Sequence, residues 1–226
     1  MKLHQGYIKT RKFFTSQNAS QYDSIVSFST FGQDSLWKKQ IVRIIDKQNC
    51  VLDLACGTGI LSSMLINASA GHVMGLDLSF DYLQIAKKKM KNFLVVNSTA
   101  ERIPYKDECF DSITSSYLAK YVNIKMVVDE CWRILRPNGV VVFHDFIYPK
   151  NIIIQRLWDC YIRILQIIGY FLTKWATVFQ ELSQVIKNSK WVEETIEALK
   201  KKGFKDITYK HYTFSTAAIV CAKKNE

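Results

Sequence analysis

The stretch VLDLACGTG (Val51 to Gly59) runs an apolar segment into a glycine-rich turn, with an acid, Asp53, four residues before Gly57. A strand that feeds such a turn and then a helix presents backbone N–H groups to an anion or a polar ligand. Gly57 and Gly59 carry no Cβ, so a ligand can approach the backbone closely there. Asp77, in GLDLS, lies about twenty residues further on, where a carboxylate can accept both hydroxyls of a ribose. These residues suit an adenosine-containing ligand. Two details narrow the choice. The run GTGILS has Ser62 where a dinucleotide fingerprint has its third glycine, and no GKS or GKT marks a nucleoside triphosphate loop. Asp53 is also badly placed against a pyrophosphate, whereas it suits a positively charged ligand, directly or through water. The chemistry indicated is that of a cationic adenosyl cofactor, S-adenosylmethionine.

The elements that must position these residues follow from the pattern of apolar runs. Strands are expected at Cys50–Ala55, His72–Asp77, Phe93–Asn97, Phe110–Ser116 and Val140–Phe146. Helices are expected at Ile60–Asn67, after the cap Ser79, and over Met126–Leu135, stopped by the turn Arg136-Pro137-Asn138-Gly139. Such alternation implies a doubly wound parallel sheet. Trp191–Lys202 then reads as a helix closed by Gly203. Ile207–Phe214 and Thr216–Lys224, separated only by Ser215, can pair only antiparallel. The fold class is α/β, Rossmann-like and doubly wound, with a mostly parallel seven-stranded sheet closed by a C-terminal antiparallel hairpin.

The chain has 226 residues, 48% of them hydrophobic, which suits one domain with additions. Within it we expect an N-terminal cap (1–46), a cofactor-binding core (47–147), a helical insert or lid (148–190) and a final helix with the hairpin (191–226). The cap is polar to about residue 33, with an amphipathic helix over Leu36–Ile45. In the insert, Ile152 to Phe179 is apolar but interrupted by Arg156, Asp159, Arg163 and Lys174, so it reads as amphipathic helices and not as a membrane span. The start, MKLHQGYIKTRKFF, shows no apolar segment of secretory length. Six cysteines without a CxxC pair and four dispersed histidines give no metal-ligand spacing and fit reduced thiols in the cytoplasm. The net charge of +11 attracts nucleic acid or anionic lipid. Its lysine clusters, Lys87–Asn92 and Lys200–Lys205, lack interleaved aromatics and read as a solvated face.

VLDLACGTG, GLDLS, AERIPYKDECFD (Ala100 to Asp111) and RILRPNG (Arg133 to Gly139) resemble, in order and spacing, the successive motifs of class I S-adenosylmethionine-dependent methyltransferases. QYDSIVSFSTFGQDSLWKK (Gln21 to Lys39), FIYPKNIIIQRLW and the ending GFKDITYKHYTFS extend the likeness to the ubiquinone/menaquinone biosynthesis C-methyltransferases over nearly the whole chain. The resemblance implies cofactor contacts at Asp53, Ala55, Gly57, Thr58, Gly59, Asp77 and Leu78, with Thr99 and Ala100 at the adenine edge and Ser116 near the methionine portion. Three departures stand out. Thr99 replaces the family's Asp or Asn, and Tyr117-Leu118-Ala119-Lys120-Tyr121 replaces Phe-Gly-Leu-Arg-Asn. The arginine-tyrosine-leucine signature expected near Trp175 to Leu182 is missing. Lys120 thus stands where the family carries an arginine, keeping the charge without the planar fork.

Methylation of a ring carbon ortho to a phenol needs the ring made electron-rich by loss of its hydroxyl proton, hence a base. Lys120, His144 and Tyr121 are the candidate catalytic residues. Asp145 stands beside His144, but neighbours in a strand face opposite ways, which argues against a direct pair. Tyr22, Phe28, Phe31 and Tyr117 are expected to offer aromatic faces to the sulfonium and the substrate. The partners implied are a lipophilic quinol precursor, an anionic membrane at whose inner face the chain associates peripherally, and a second subunit against which the insert packs. No RNA-binding module accompanies the charge, so nucleic acid is not expected as a partner. The rivals are methylation of a phospholipid amine, of another small molecule or of RNA, and a cofactor-binding scaffold without catalysis.

Overall fold

A computed structural model describes residues 10, 12–45, 49–68 and 71–225. The chain runs α1 (Ser16–Ala19), α2 (Tyr22–Ser29), α3 (Gln33–Ile45), β1 (Cys50–Leu54), α4 (Ile60–Asn67), β2 (His72–Asp77), α5 (Phe80–Lys89), β3 (Leu94–Asn97), β4 (Phe110–Ser116), α6 (Ile124–Ile134), β5 (Leu135–Phe146), α7 (Ile152–Phe171), α8 (Ala176–Asn188), α9 (Trp191–Lys202), β6 (Lys205–Tyr212) and β7 (Ala217–Lys223). The strands form one seven-stranded sheet in the order β3-β2-β1-β4-β5-β7-β6. β1 to β5 pair parallel, and β7 pairs antiparallel with both β5 and β6. The strand order reverses between β1 and β4, so the carboxyl ends of β1, β2 and β4 open on one crevice.

Alternation along each strand supplies both faces of the sheet. Leu52, Leu54, Ile113 and Phe143 pack with α6 and α9 through Val128, Ile134, Trp191 and Leu199. Val51 and Val142 point the other way, onto Ile41, Ile45, Leu61, Leu65 and Leu83 of α3, α4 and α5. Phe13, Tyr121, Leu165, Trp175 and Phe179 form a third cluster, joining the cap to the insert.

Several boundaries differ from the sequence reading. Among its described residues the cap holds the helices α1, α2 and α3 rather than a polar arm before one helix; Asn18 is buried and binds Phe13 O through its Nδ2 at 2.7 Å. The first nine residues, residue 11 and residue 46 of that cap lie outside the described residues. β6 stops at Tyr212 because Thr213, Phe214 and Ser215 all adopt positive φ, which makes the hairpin turn longer than one residue. The turn at Arg136–Gly139 interrupts the β4–β5 ladder, which is resumed at Ser112 opposite Val140. α9 ends, as expected, on Gly203 at φ 103. No described helix is long and apolar enough to cross a membrane, and no group of His, Cys, Asp or Glu among the described residues could hold a metal ion.

Candidate active site

After β1 the chain turns through Ala55 (φ 56), Gly57 (φ 56) and Gly59 (φ 81), all left-handed. Gly59 is the N-cap of α4, and a Cβ there would collide with Met90 and press on Ala86. This conformation aims the Gly57 N–H at Asp77 Oδ2, 2.8 Å away, while the Ser79 N–H donates to Asp77 Oδ1 at 2.7 Å. Burial nevertheless pushes the Asp77 carboxyl up to about 6, against these backbone donors. A cavity of about 340 Å³ opens here, lined by Ala55, Gly57, Asp77, Leu78, Thr99, Ala100 and Ser116, with Tyr22, Tyr117 and Tyr121 on its far wall. That size falls in the range of small-molecule sites. A strand-end carboxylate, a side-chain-free glycine and apolar walls from Leu78 and Ala100 fit an adenosyl cofactor.

Three of the expected cofactor residues do not line this cavity. Gly59 only shapes the turn. The Thr58 hydroxyl donates to Asp23 Oδ1 at 2.5 Å and is fully buried, so it ties the glycine turn to α2. Asp53 faces α4, where it accepts from Ser62 Oγ at 2.6 Å and Thr114 Oγ1 at 3.3 Å. Burial pushes its carboxyl up to about 6, against the Ser62 hydrogen bond. The serine in place of the third glycine and the acid inside the strand are thus one feature, a buried brace between β1 and α4. Thr99 donates to Glu101 Oε2 at 2.7 Å, and Glu101 itself lines the cavity. Sequence reasoning passed over Glu101, although it lies in the AERIPYKDECFD motif, and also over Phe14, Leu118 and Val122.

A second cavity, of about 110 Å³, adjoins the first and shares Phe14, Tyr22, Tyr117 and Tyr121 with it. Its other walls are mostly apolar and come chiefly from α2, α7 and α8, among them Ile25, Trp158, Leu165 and Phe179. Lys120 is the one charged side chain among the described residues that line it. Its ammonium pairs with Asp145 Oδ1 at 2.5 Å, both side chains buried, and lies 4.5 Å from the centroid of the Tyr121 ring. Burial lowers the Lys120 pKa, opposed by the Asp145 charge, and raises that of Asp145, opposed by Lys120. The Tyr117 hydroxyl donates to Asp34 Oδ1 at 2.6 Å, and Lys38 pairs with the same carboxylate. Burial holds the hydroxyls of Tyr22, Tyr117 and Tyr121 well above the usual tyrosine range, so all three are neutral donors.

His144 and Asp145 face opposite sides of β5, as alternation requires. His144 Nδ1 lies 3.3 Å from Ser116 Oγ, while Nε2 has no hydrogen-bond partner among the described residues. Burial, then the charges of Lys38 and Lys120, hold its pKa well below the ordinary histidine value. It is a neutral imidazole that lines neither cavity. Phe28 and Phe31, expected at the substrate, are 53% and 76% exposed and also line neither cavity. The inward face of α2 is Tyr22, Ile25, Val26 and Ser29, at helical spacing, which turns Phe28 to solvent.

Comparison with known proteins bears on the family and the fold. The ubiE/COQ5 methyltransferase family matches residues 3–224. A ubiquinone/menaquinone biosynthesis C-methyltransferase of Blochmanniella pennsylvanica is 30% identical, over 91% of this chain and 86% of its own. A demethylmenaquinone methyltransferase of Thermotoga maritima is 28% identical, over 89% and 90%. Among solved structures, a putative S-adenosylmethionine-dependent methyltransferase of Methanococcus maripaludis superposes with a TM-score of 0.69 at 18% identity, covering 94% of each chain. The phosphoethanolamine N-methyltransferase 2 of Haemonchus contortus, in complex with S-adenosylmethionine, gives 0.69 at 15% identity over 96% of this chain and 59% of its own. These likenesses in shape concern the fold. Match and fold together show that the chain belongs to the ubiE/COQ5 methyltransferase family and is an S-adenosylmethionine-dependent methyltransferase.

Proposed function

We propose that this enzyme methylates a ring carbon of a reduced, lipophilic quinol precursor. The observation that carries the reading is the second cavity: mostly apolar, roofed by α7 and α8, sharing four aromatic residues with the first, and holding one buried cation, Lys120. A prenylated phenol matches such walls. The names of the curated relatives, which are quinone-biosynthesis methyltransferases, support the same acceptor.

Bound S-adenosylmethionine supplies the methyl group, made electrophilic by the sulfonium. The residues of the chain do the rest. Asp77 accepts the ribose hydroxyls, Leu78, Thr99 and Ala100 surround the adenine, and the backbone at Ala55 and Gly57 with Ser116 borders the methionine end. Thr58, Gly59 and Asp53 act through the turn they hold. Tyr22 and Tyr117 stand between the cavities, where aromatic faces favour a sulfonium by roughly 0.5–2 kcal/mol. Lys120 places a positive charge where the acceptor's phenolic oxygen loses its proton to bulk water, which makes the ring carbon nucleophilic. After methyl transfer the proton on that carbon moves to the oxygen as the aromatic ring is restored, and Asp145 keeps the ammonium aimed. Tyr121, a neutral donor, positions the same oxygen. His144 takes the part of a positioning residue behind Ser116. The insert roofs the second cavity, which suits an in-line displacement governed by orientation. We place the reaction at the cytoplasmic face of a membrane, where such an acceptor dissolves.

The test is turnover of methyl-labelled cofactor with demethylated quinol, its oxidised quinone, phospholipid and tRNA. Label in the reduced quinol alone is expected, because only the phenol can ionise. Label in phospholipid or tRNA, or equal label in the oxidised quinone, would overturn the reading.

A further inference from the structure

No described residue packs over the outer face of α7. Ile153, Leu157, Cys160, Ile164, Ile167 and Phe171 recur at steps of four and three, which keeps them on one side of the helix, and all are exposed. Leu157 reaches 62% and Phe171 83%. Twenty helical residues make a stripe about 30 Å long. Scattered exposed apolar side chains need no explanation, but a continuous stripe does. Arg156 and Arg163 lie on the same exposed side. The only acid of the helix, Asp159, is engaged by Lys187 at 2.7 Å and by the Tyr148 hydroxyl at 3.1 Å. The exposed face is therefore apolar and cationic. On the opposite face, Trp158, Tyr161, Ile162 and Leu165 line the second cavity.

We propose that α7 lies in the plane of an anionic phospholipid bilayer, its apolar stripe among the acyl chains and Arg156 and Arg163 at the headgroup phosphates. Helices of this kind bind by apolar burial assisted by anionic lipid. A second copy is the poorer occupant, because it would bring its own two arginines against this pair with no acid of α7 to oppose them. The proposal deepens the lipophilic-acceptor reading, on which its purpose rests. An acceptor dissolved in the bilayer reaches the second cavity around the same helix whose other face sits in the lipid.

The experiment is flotation of the full chain with vesicles of phosphatidylcholine alone and of phosphatidylcholine mixed with phosphatidylglycerol, at low and high salt. The chain is expected to float with the mixed vesicles at low salt and not with phosphatidylcholine alone. The double variant Leu157→Asp/Ile164→Asp is expected to stay unbound with an unchanged circular dichroism spectrum. Arg156→Glu/Arg163→Glu is expected to weaken binding by about 30-fold or more, from roughly a kilocalorie per mole for each surface cation. The arginine variant touches no buried contact, so it keeps the test decisive should the aspartates disturb folding. Variants that float like the wild type would overturn the proposal. So would indifference to anionic lipid, or a lipid-free dimer that the stripe variant converts to monomer. No readout contains a quinol, so failure of the acceptor reading leaves these results standing.

Discussion

The two cavities share a wall of four aromatic rings, yet they are built by different means. The first is made at strand ends, where a tight glycine turn, Asp77 and Ser116 are fixed by the ladders of β1, β2 and β4. The second is assembled from side chains of α2, α7, α8 and the segment after β4, which meet only through tertiary packing. A site made of ladder and turn geometry tolerates little variation. One made of packed side chains can be reshaped without disturbing the sheet. On the proposed reading the first cavity takes the cofactor and the second selects the acceptor, a division that can be broken experimentally.

The largest effect is expected where the second cavity meets the core. Asp145→Ala leaves the Lys120 ammonium buried without its counter-ion, and removing one partner of such a pair costs about 3–5 kcal/mol. Urea unfolding would measure it; a loss under about 1 kcal/mol would mean that water reaches Lys120. Lys120→Met probes the same pair from the chemical side. Turnover on reduced quinol should fall by about 10² or more, the size seen when a donor to developing negative charge is removed. A matching loss of cofactor affinity would erase the distinction between the cavities.

A smaller effect belongs to the brace behind the first cavity. The folded-state pKa of Asp53, about 6, lies above its ordinary value of 3.8. The folded chain then holds a proton that the unfolded chain has lost between pH 4 and 6. The contribution of Asp53 to stability is present below pH 4 and lost as pH rises through 6. Asp53→Asn should therefore show a flatter stability profile across that window than the wild type, by about 2–3 kcal/mol. Identical slopes would contradict a desolvated Asp53. The least effect is expected at Gly59, where alanine has to adopt φ 81 and displace Met90, at about 1–2 kcal/mol by thermal unfolding.

How far each half was legible in the sequence follows the same division. Strand and turn signals are local, so the succession of β1 to β5, the antiparallel end and the roles expected of Gly57 and Asp77 could be read from short stretches, whereas Ala55, Leu78, Thr99, Ala100 and Ser116 were named through the family resemblance. Asp53 was legible as unusual but not as a brace, because its partners Ser62 and Thr114 are supplied by α4 and β4. The phase of α2 was in the sequence: with Tyr22 inward, Ile25, Val26 and Ser29 follow at helical spacing and Phe28 falls outside. The Lys120–Asp145 pair was not legible, since the residues are twenty-five apart and only the close of β5 beside β4 brings them together. Nor was the neutrality of His144, which depends on burial beneath Trp37 and Tyr117.

The central claim is that cofactor binding and acceptor activation are separate properties of adjoining cavities. The most direct measurement is the equilibrium affinity for S-adenosylmethionine of Asp77→Ala and Lys120→Met beside the wild type, by calorimetry, with turnover on reduced quinol measured on the same samples. The account predicts that Asp77→Ala loses about 10-fold or more in affinity, as expected for hydrogen bonds to a charged group. Lys120→Met should bind the cofactor as the wild type does and fail to turn over. Equal losses of affinity in the two variants, or normal turnover by Lys120→Met, would contradict it.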